Sequence, residues 1–147
     1  MSSLENLSRL VSLDHGLAVV STARSDGTIL SSVVNAGVLD HALGGETAVA
    51  FVSAGNAARL RHLRVRPRAT VVVRAGWRWI AVEGPVRLAG PDDPLDGVDA
   101  DSLRILLRDI FVAAGGSHDD WDEYDRVMAS ERRVAVLIEP ARVYGNS

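Results

Sequence analysis

Five arginines stand close together near the middle of the chain, in the stretch "NAARLRHLRVRPRAT": Arg59, Arg61, Arg64, Arg66 and Arg68. The whole protein is nevertheless slightly acidic, with a formal net charge of -3 at pH 7. All 16 cationic side chains are arginine, so the clustering is more informative than the residue type. Guanidinium groups bind phosphate in a bidentate manner, and the cluster therefore predicts an anion site.

The segment around the cluster bears on that prediction. A loop of small residues, "FVSAGN", ends a predicted strand, Asn56 is a candidate N-cap, and Pro67 should end the short helix that follows. Arg59 and Arg61 then lie in the first turn and a half, where a cation is unfavourable unless an anion lies nearby. A solvated basic helix face and a subunit contact with the Asp-rich connector remain alternatives. Nucleic acid is a weaker one, because no stacking platform accompanies the arginines.

The rest of the chain offers little chemistry of its own. There is no cysteine, the four histidines are scattered, and no serine has the context of a nucleophile. We therefore expect no metal site and name no catalytic residue. Trp77 and Trp79 are the paired aromatics, and core packing, a planar ligand or a subunit interface would each explain them. A protein with this inventory either binds a ligand without transforming it or lets a cofactor supply the reactivity.

The sequence pattern predicts that mainly strands position these residues. We predict a helix over residues 3–13 capped by Ser2 or Ser3, a hairpin turning at Asp26-Gly27, and a strand from about Thr47 to Ser53. The remaining elements are the arginine helix, the strands "ATVVVRAG" and "WRWIAVEGPVRLAG", the acidic connector "PDDPLDGVDAD", two helices, the second capped by Ser117, and one closing strand in "RRVAVLIEPARVYG". About six short antiparallel strands could close into a small barrel.

Length and composition set further bounds. We expect 147 residues with 47% apolar content to form one domain, 1–147, with a true core. The N-terminus lacks the pattern of a secretory signal and no stretch is long and apolar enough for a membrane span, so we expect a cytoplasmic protein. The acidic balance argues against nucleic acid as a partner.

Four segments in this order resemble a known family: "GLAVVSTARSDGTILSSVV", "NAARLRHLRVRPRATVVV", "GWRWIAVEGPVRL" and "DWDEYDRVMASERRVAVLIEPARVYG". Nearly the whole chain is similar to the pyridoxamine 5′-phosphate oxidase-like FMN-binding split-barrel superfamily. Within it, the chain resembles the actinobacterial flavin/deazaflavin oxidoreductase B group, whose coenzyme is the deazaflavin F-420. The resemblance implies a six-stranded antiparallel split barrel that forms a homodimer, with cofactor sites at the subunit interface.

The resemblance also implies a set of cofactor-binding residues. The ring would lie along the second strand, the phosphate and acidic tail at the arginine helix, and the paired tryptophans and Arg132 would approach from the other subunit. The residues so implied are Val33, Val34, Asn35, Ser53, Arg59, Leu60, Arg61, Trp77, Arg78, Trp79 and Arg132. Ala36 and Gly37 follow the ring strand, and their small side chains could leave an open pocket above the ring or mark a bend in the strand.

The function implied is hydride transfer from the reduced deazaflavin to a small organic acceptor. The dense arginine track favours F-420, whose phosphodiester, lactyl carboxylate and glutamates form a longer anion than the single phosphate of FMN. An FMN-dependent oxidase or reductase remains an alternative, as does a non-catalytic protein that stores or carries its cofactor. Oxidation of pyridoxamine phosphate is not expected, because the C-terminal Arg and His arrangement of those enzymes is missing.

Overall fold

A computed structural model describes residues 3–147 as a β-barrel with flanking helices. The helices and strands are, in chain order, α1 (Leu4–Ser12), β1 (Leu17–Ala23), β2 (Ile29–Ala42), β3 (Glu46–Ser53), α2 (Ala58–Val65), β4 (Arg68–Ala75), β5 (Arg78–Ala89), α3 (Ala100–Ala113), α4 (Trp121–Ser130), β6 (Val134–Ile138) and β7 (Arg142–Gly145). None of the helices in this range is long and apolar enough to cross a membrane.

The barrel closes through six antiparallel strands, which confirms the predicted fold. The neighbours run β4-β1-β2-β3-β6-β5, and β5 pairs back with β4. Two long strands divide their length between partners. In β2, the segment up to Asn35 pairs with β1 and the segment from Ala36 pairs with β3. In β5, the segment up to Pro85 pairs with β4, and the segment from Val86 pairs with β6.

The closing segment forms two strands, so the single final strand predicted from sequence is wrong. β6 lies between β3 and β5, and β7 adds to the other part of β5 as a seventh strand outside the barrel. Pro140 stands between them, and proline cannot donate a ladder hydrogen bond. The chain bends there. Before the bend β6 pairs with β3 and with the second part of β5, and after it β7 pairs with the first part of β5.

Apolar residues that alternate along the strands form two separate cores. One lies inside the barrel and includes Val20, Phe51, Val71, Ile80 and Val136, with Leu60 and Leu63 of α2 closing one end. The second lies between the barrel wall and the helices α3 and α4. On its helical side, Leu106, Leu107 and Ile110 of α3 are buried against the barrel wall.

Helix ends follow the sequence in part. Ser3 caps α1 and accepts from the Asn6 N–H, as predicted; Ser2, the other candidate, lies outside the described residues. The cap predicted at Ser117 is wrong, because Asp120 holds that position and accepts from the Glu123 N–H. The cap predicted at Asn56 is also wrong: α2 begins after Ala57, which has no side chain able to cap it.

Candidate functional site

The guanidinium of Arg59 lies at the end of the barrel between two serines. Its Nη1 donates to Ser53 Oγ at 3.0 Å, and its Nε and Nη2 donate to Ser32 Oγ at 3.3 and 3.1 Å. Its Cζ lies 5.9 Å from the ring centroid of the fully buried Phe51. Three of the five guanidinium N–H groups thus point at neutral oxygens, and two remain available.

Arg59 is a half-buried cation with no counterion among the residues that the structure describes. No carboxylate among residues 3–147 forms an ion pair with it. Burial lowers the pKa of its guanidinium below the usual value, although the group stays charged at neutral pH. A partly desolvated, unpaired charge is costly, and an anion bound beside it would offset that cost.

The start of α2 offers further hydrogen-bond donors. The three other helices each have a side-chain cap and an acidic residue in the first turn, whereas α2 has neither. No acceptor among the described residues takes the N–H of Ala58 or Arg59. Free N–H groups at a helix N-terminus attract anions, and here the Arg59 side chain adds a full positive charge from the same turn.

Ser53 positions the arginine. This buried residue donates its hydroxyl proton to the Ala54 carbonyl at 3.1 Å, which leaves its lone pairs for Arg59. Ser32, which no sequence signal singles out as a site residue, supports the other edge of the guanidinium. Ser53 and Arg59 were implied by the resemblance, and the structure brings them together.

The remaining arginines of the cluster have different surroundings. Arg64 forms a bidentate pair with Asp93 of the connector, with both distances 2.7 Å. The contact between arginines and the Asp-rich connector therefore exists within one chain. Arg61, Arg66 and Arg68 are exposed and form no ion pair with any residue in the described range. Arg61 thus shares with Arg59 the absence of a counterion.

Arg132 lies beside the same loop but is held by a second connector aspartate. Its Nε and Nη2 donate to the carboxylate of Asp92 at 2.9 and 2.5 Å. A Cβ built on Gly55 would lie 2.4 Å from the Arg132 carbonyl oxygen, so only glycine allows the loop before α2 to pass this close. The Arg132 backbone therefore lies beside the loop before α2, and its guanidinium is already paired with Asp92.

The strand residues implied as ring contacts divide between the two sides of the barrel wall. Val33 faces outward and is 63% exposed, whereas Val34 lies in the barrel core. Leu60 of α2 is likewise fully buried. Any contact from Val34 or Leu60 to a ligand outside the barrel would have to come from the backbone.

Asn35 has a structural partner on each side. Its side-chain nitrogen donates to the His15 carbonyl at 2.8 Å and to the Ala114 carbonyl at 3.3 Å. These two bonds tie β2 to the turn before β1 and to the end of α3. The open pocket predicted beside Ala36 and Gly37 is wrong, because a Cβ on Gly37 would lie 2.4 Å from the backbone of Ala113. Glycine there permits the close approach of α3.

The outer face of the sheet carries an apolar surface with no partner in the described chain. Val33, Val19 and Val72 are neighbours across β2, β1 and β4, and on the same face Trp79 packs edge-on against Tyr144 with ring centroids 6.2 Å apart. Val19, Val33, Trp79 and Tyr144 are exposed to solvent, and Val72 is partly exposed. We call this the outer face: Leu17, Val19, Val33, Val72, Trp79 and Tyr144.

Trp77 projects from the tip of the β4–β5 hairpin and is 94% exposed. The hairpin itself is fixed by the C-terminal segment. Asn146 accepts from the Trp79 N–H at 2.7 Å and donates to the Trp77 carbonyl at 2.7 Å. Arg78 is also exposed. A large apolar side chain presented to water on a fixed hairpin is typical of an interaction surface.

Comparison with known proteins places the fold but not the activity. No family model matches the chain. Among solved structures, a conserved hypothetical protein of Mycobacterium tuberculosis has a TM-score of 0.71 at 17% identity, over 99% of this chain and 84% of that one. A pyridoxamine 5′-phosphate oxidase-related, FMN-binding protein of Nostoc punctiforme has a TM-score of 0.65 at 10% identity, over 95% of this chain and 80% of that one. An F-420 reductase has a TM-score of 0.59 at 17% identity, over 91% of this chain and 94% of that one.

The chain has the split-barrel fold. At these identities the likeness concerns the path of the backbone alone, and the neighbours carry different activities on it. An argument about function must therefore rest on the surroundings of Arg59 and on the outer face.

Proposed function

We propose that this protein is a cytoplasmic, homodimeric oxidoreductase that binds the deazaflavin coenzyme F-420. The observation that carries the proposal is the half-buried, unpaired guanidinium of Arg59 beside the uncapped start of α2. A phosphodiester suits this arrangement, because it can accept from the two remaining guanidinium N–H groups and from the free backbone N–H groups at once. Arg61, exposed on the same helix, would meet the carboxylates of the tail.

The ring has a matching surface on the outer face. Val33 follows Ser32 on β2 but faces the opposite side of the barrel wall, so a ligand that contacts both the outer face and Arg59 would pass over the end of the barrel. An apolar sheet face would exclude water from one side of a planar ring. The residues present therefore fit a ligand with a flat apolar part and an anionic part.

A second copy of the chain would complete the site. The outer face exposes several large apolar side chains, and Trp77 projects from a hairpin that Asn146 holds in place. Burying both in a symmetric contact would remove this apolar area from water, and Trp77 would then lie against the partner. This agrees with the approach of Trp77, Arg78 and Trp79 from the other subunit that the resemblance implies.

The chemistry would come from the coenzyme, which in its reduced form donates a hydride to an electron-poor acceptor. The roles of the chain's own residues follow from their positions. Arg59 and Arg61 bind the anion, Ser53 and Ser32 orient Arg59, and the outer face holds the ring and keeps water away. No side chain is assigned as a proton donor, and solvent can supply the proton.

An FMN-dependent enzyme is the second candidate, and one observation favours it. Arg64 and Arg132 are paired with Asp93 and Asp92, so the unpaired track beside the site is shorter than the sequence indicates. A single phosphate would be satisfied by Arg59 and the start of α2 alone. A carrier that binds its cofactor without turnover would use the same residues.

A side-by-side titration separates these candidates. Purified protein is titrated with oxidised F-420 and with FMN, and ligand fluorescence reports binding. Tight F-420 binding with weak FMN binding supports the proposal, and oxidation of the reduced coenzyme by added electron acceptors then tests for turnover. Preference for FMN favours the second candidate, binding without turnover on any acceptor favours the carrier, and binding of neither ligand contradicts the proposal.

A further inference from the structure

Two neighbouring aspartates of the connector hold two arginines in very different settings. In the Asp93–Arg64 pair the carboxylate side chain is 9% exposed, so the contact is part of the packing of the connector against α2. In the Asp92–Arg132 pair both side chains are more than half exposed, at 53% and 55%. An exposed ion pair contributes little to stability and exchanges readily with other ions. Asp92 is therefore a replaceable partner for Arg132, and Asp93 is not a replaceable partner for Arg64.

Arg132 occupies a backbone position where glycine is the usual residue. It follows the C-cap of α4 with φ of +50°, in the left-handed region. A non-glycine residue there is strained, and a half-exposed ion pair is weak compensation for that strain. The Arg132 N–H is bonded to the Ala129 carbonyl, and its backbone packs against Gly55. The backbone is thus fixed beside the loop that leads from Ser53 to Arg59, and the side chain is the part that can change partner.

We infer that Asp92 competes with the acidic tail of the bound coenzyme for Arg132, so that it sets the preference of the site for a ligand with or without a carboxylate tail. This inference rests on the proposed function. The Asp92 carboxylate stands where a ligand carboxylate would bind, in a bidentate grip on the guanidinium. When a glutamate of the tail takes that place, Asp92 moves to solvent, and the cationic track lengthens from Arg59 and Arg61 to include Arg132.

The charge balance around the pair supports this exchange. Arg132 holds the pKa of Asp92 below its usual value, and the nearby Arg64 acts in the same direction, so Asp92 is ionised at neutral pH and is a true competitor for an anionic tail. A ligand that ends at a single phosphate has no carboxylate to offer Arg132. Asp92 thus costs affinity for tailed ligands and leaves ligands without a tail unaffected.

The test compares Asp92→Asn with Asp96→Asn, a matched control that removes the same charge from an exposed connector aspartate with no ion pair among residues 3–147. Each variant is titrated at one low ionic strength with F-420 and with the deazaflavin riboside that lacks phosphate and tail. We expect Asp92→Asn to lower the Kd for F-420 about three- to fivefold, the range open to an exposed ion pair. The Kd for the riboside and the behaviour of Asp96→Asn should match the wild type.

A double-mutant cycle then assigns the effect to Arg132. Arg132→Gln should raise the Kd for F-420, and adding Asp92→Asn to it should produce no further change. Equal F-420 affinity of the wild type and Asp92→Asn would overturn this inference while leaving the proposed function intact. So would an equal gain for the riboside, for Asp96→Asn, or in the Arg132→Gln background. A wild type that binds neither F-420 nor FMN would instead contradict the proposed function, and this inference with it.

Discussion

The Nη1 of Arg59 lies 3.0 Å from the Oγ of Ser53, and that serine donates its own proton to the Ala54 carbonyl. The hydroxyl therefore acts as an acceptor for the guanidinium and cannot itself donate to a ligand. Ser53 fixes the direction of a cation that has no carboxylate partner in the described part of the chain. This relationship is the basis for the proposed anion site at the end of the barrel, and the first prediction tests it.

Inorganic phosphate should stabilise the wild-type protein through Arg59. At matched ionic strength, replacing chloride by phosphate should raise the thermal midpoint, with a gain of about 1.4 kcal/mol at a phosphate concentration tenfold above the Kd. Arg59→Gln should lose this gain, whereas Arg66→Gln, which removes an exposed arginine of the same cluster, should keep it. Differential scanning calorimetry checks all three proteins. An equal phosphate effect in Arg59→Gln would show that the anion binds elsewhere.

Arg61→Ala should weaken binding of F-420 by about 1.5–3 kcal/mol, the range for hydrogen bonds to charged groups. Arg61 is exposed on α2, so its removal should leave the unfolding midpoint unchanged. Arg66→Ala is the matched control, and its affinity should stay at the wild-type value. Isothermal titration calorimetry measures each Kd. If Arg61→Ala binds as tightly as the wild type, the tail is not held on this helix.

Trp77→Ala should weaken the dimer without unfolding the subunit. The side chain is 94% exposed in the single chain, so its loss removes no internal packing. Sedimentation equilibrium should detect a wild-type dimer and a higher dissociation constant for the variant, and circular dichroism should be the same for both. Val127→Ala, an exposed apolar residue on α4, serves as the control. A monomeric wild type, or an unchanged dimer in Trp77→Ala, would contradict the predicted interface.

Stability should fall at acid pH through the pair that joins α3 to α4. The hydrogen bond from Arg108 lowers the pKa of Asp125 below its usual value. A carboxyl group with a depressed folded-state pKa stabilises the protein above about pH 4 and loses that contribution as the pH falls through the lower, folded-state pKa. Asp125→Asn should therefore cost about 1 kcal/mol at pH 7 and less at pH 2.

Urea unfolding at the two pH values measures this difference. Asp109→Asn, on the exposed side of α3, is the control and should change neither value. A cost of Asp125→Asn that is the same at pH 2 and pH 7 would rule out the ionised carboxylate as its source.

The barrel was predictable where the signals were local or supplied by the resemblance. The turn at Asp26-Gly27 and the end of α2 before Pro67 follow from turn chemistry and proline sterics. The division of the last strand could have been predicted from Pro140, which interrupts an otherwise continuous β pattern. The cap at Asp120 has a similar local signal, because Glu123 follows three residues later.

The contacts that define the site were not predictable in this way. Ser32 and Arg59 are 27 residues apart and meet only because β2 and α2 reach the same end of the barrel. The pairing of Asp92 with Arg132 spans 40 residues. Composition and spacing show that acidic and basic segments exist. Only the folded chain shows which arginines lie beside a carboxylate, as Arg64 and Arg132 do, and which lie beside none in the described range, as Arg59 does.

The most direct measurement is a fluorescence titration of wild-type protein, Arg59→Gln and Arg66→Gln with oxidised F-420. The account predicts saturable binding to the wild type, at least about a tenfold higher Kd for Arg59→Gln, and a Kd for Arg66→Gln within about twofold of the wild type. Equal affinity of the wild type and Arg59→Gln, or no binding of F-420 to the wild type, would contradict it.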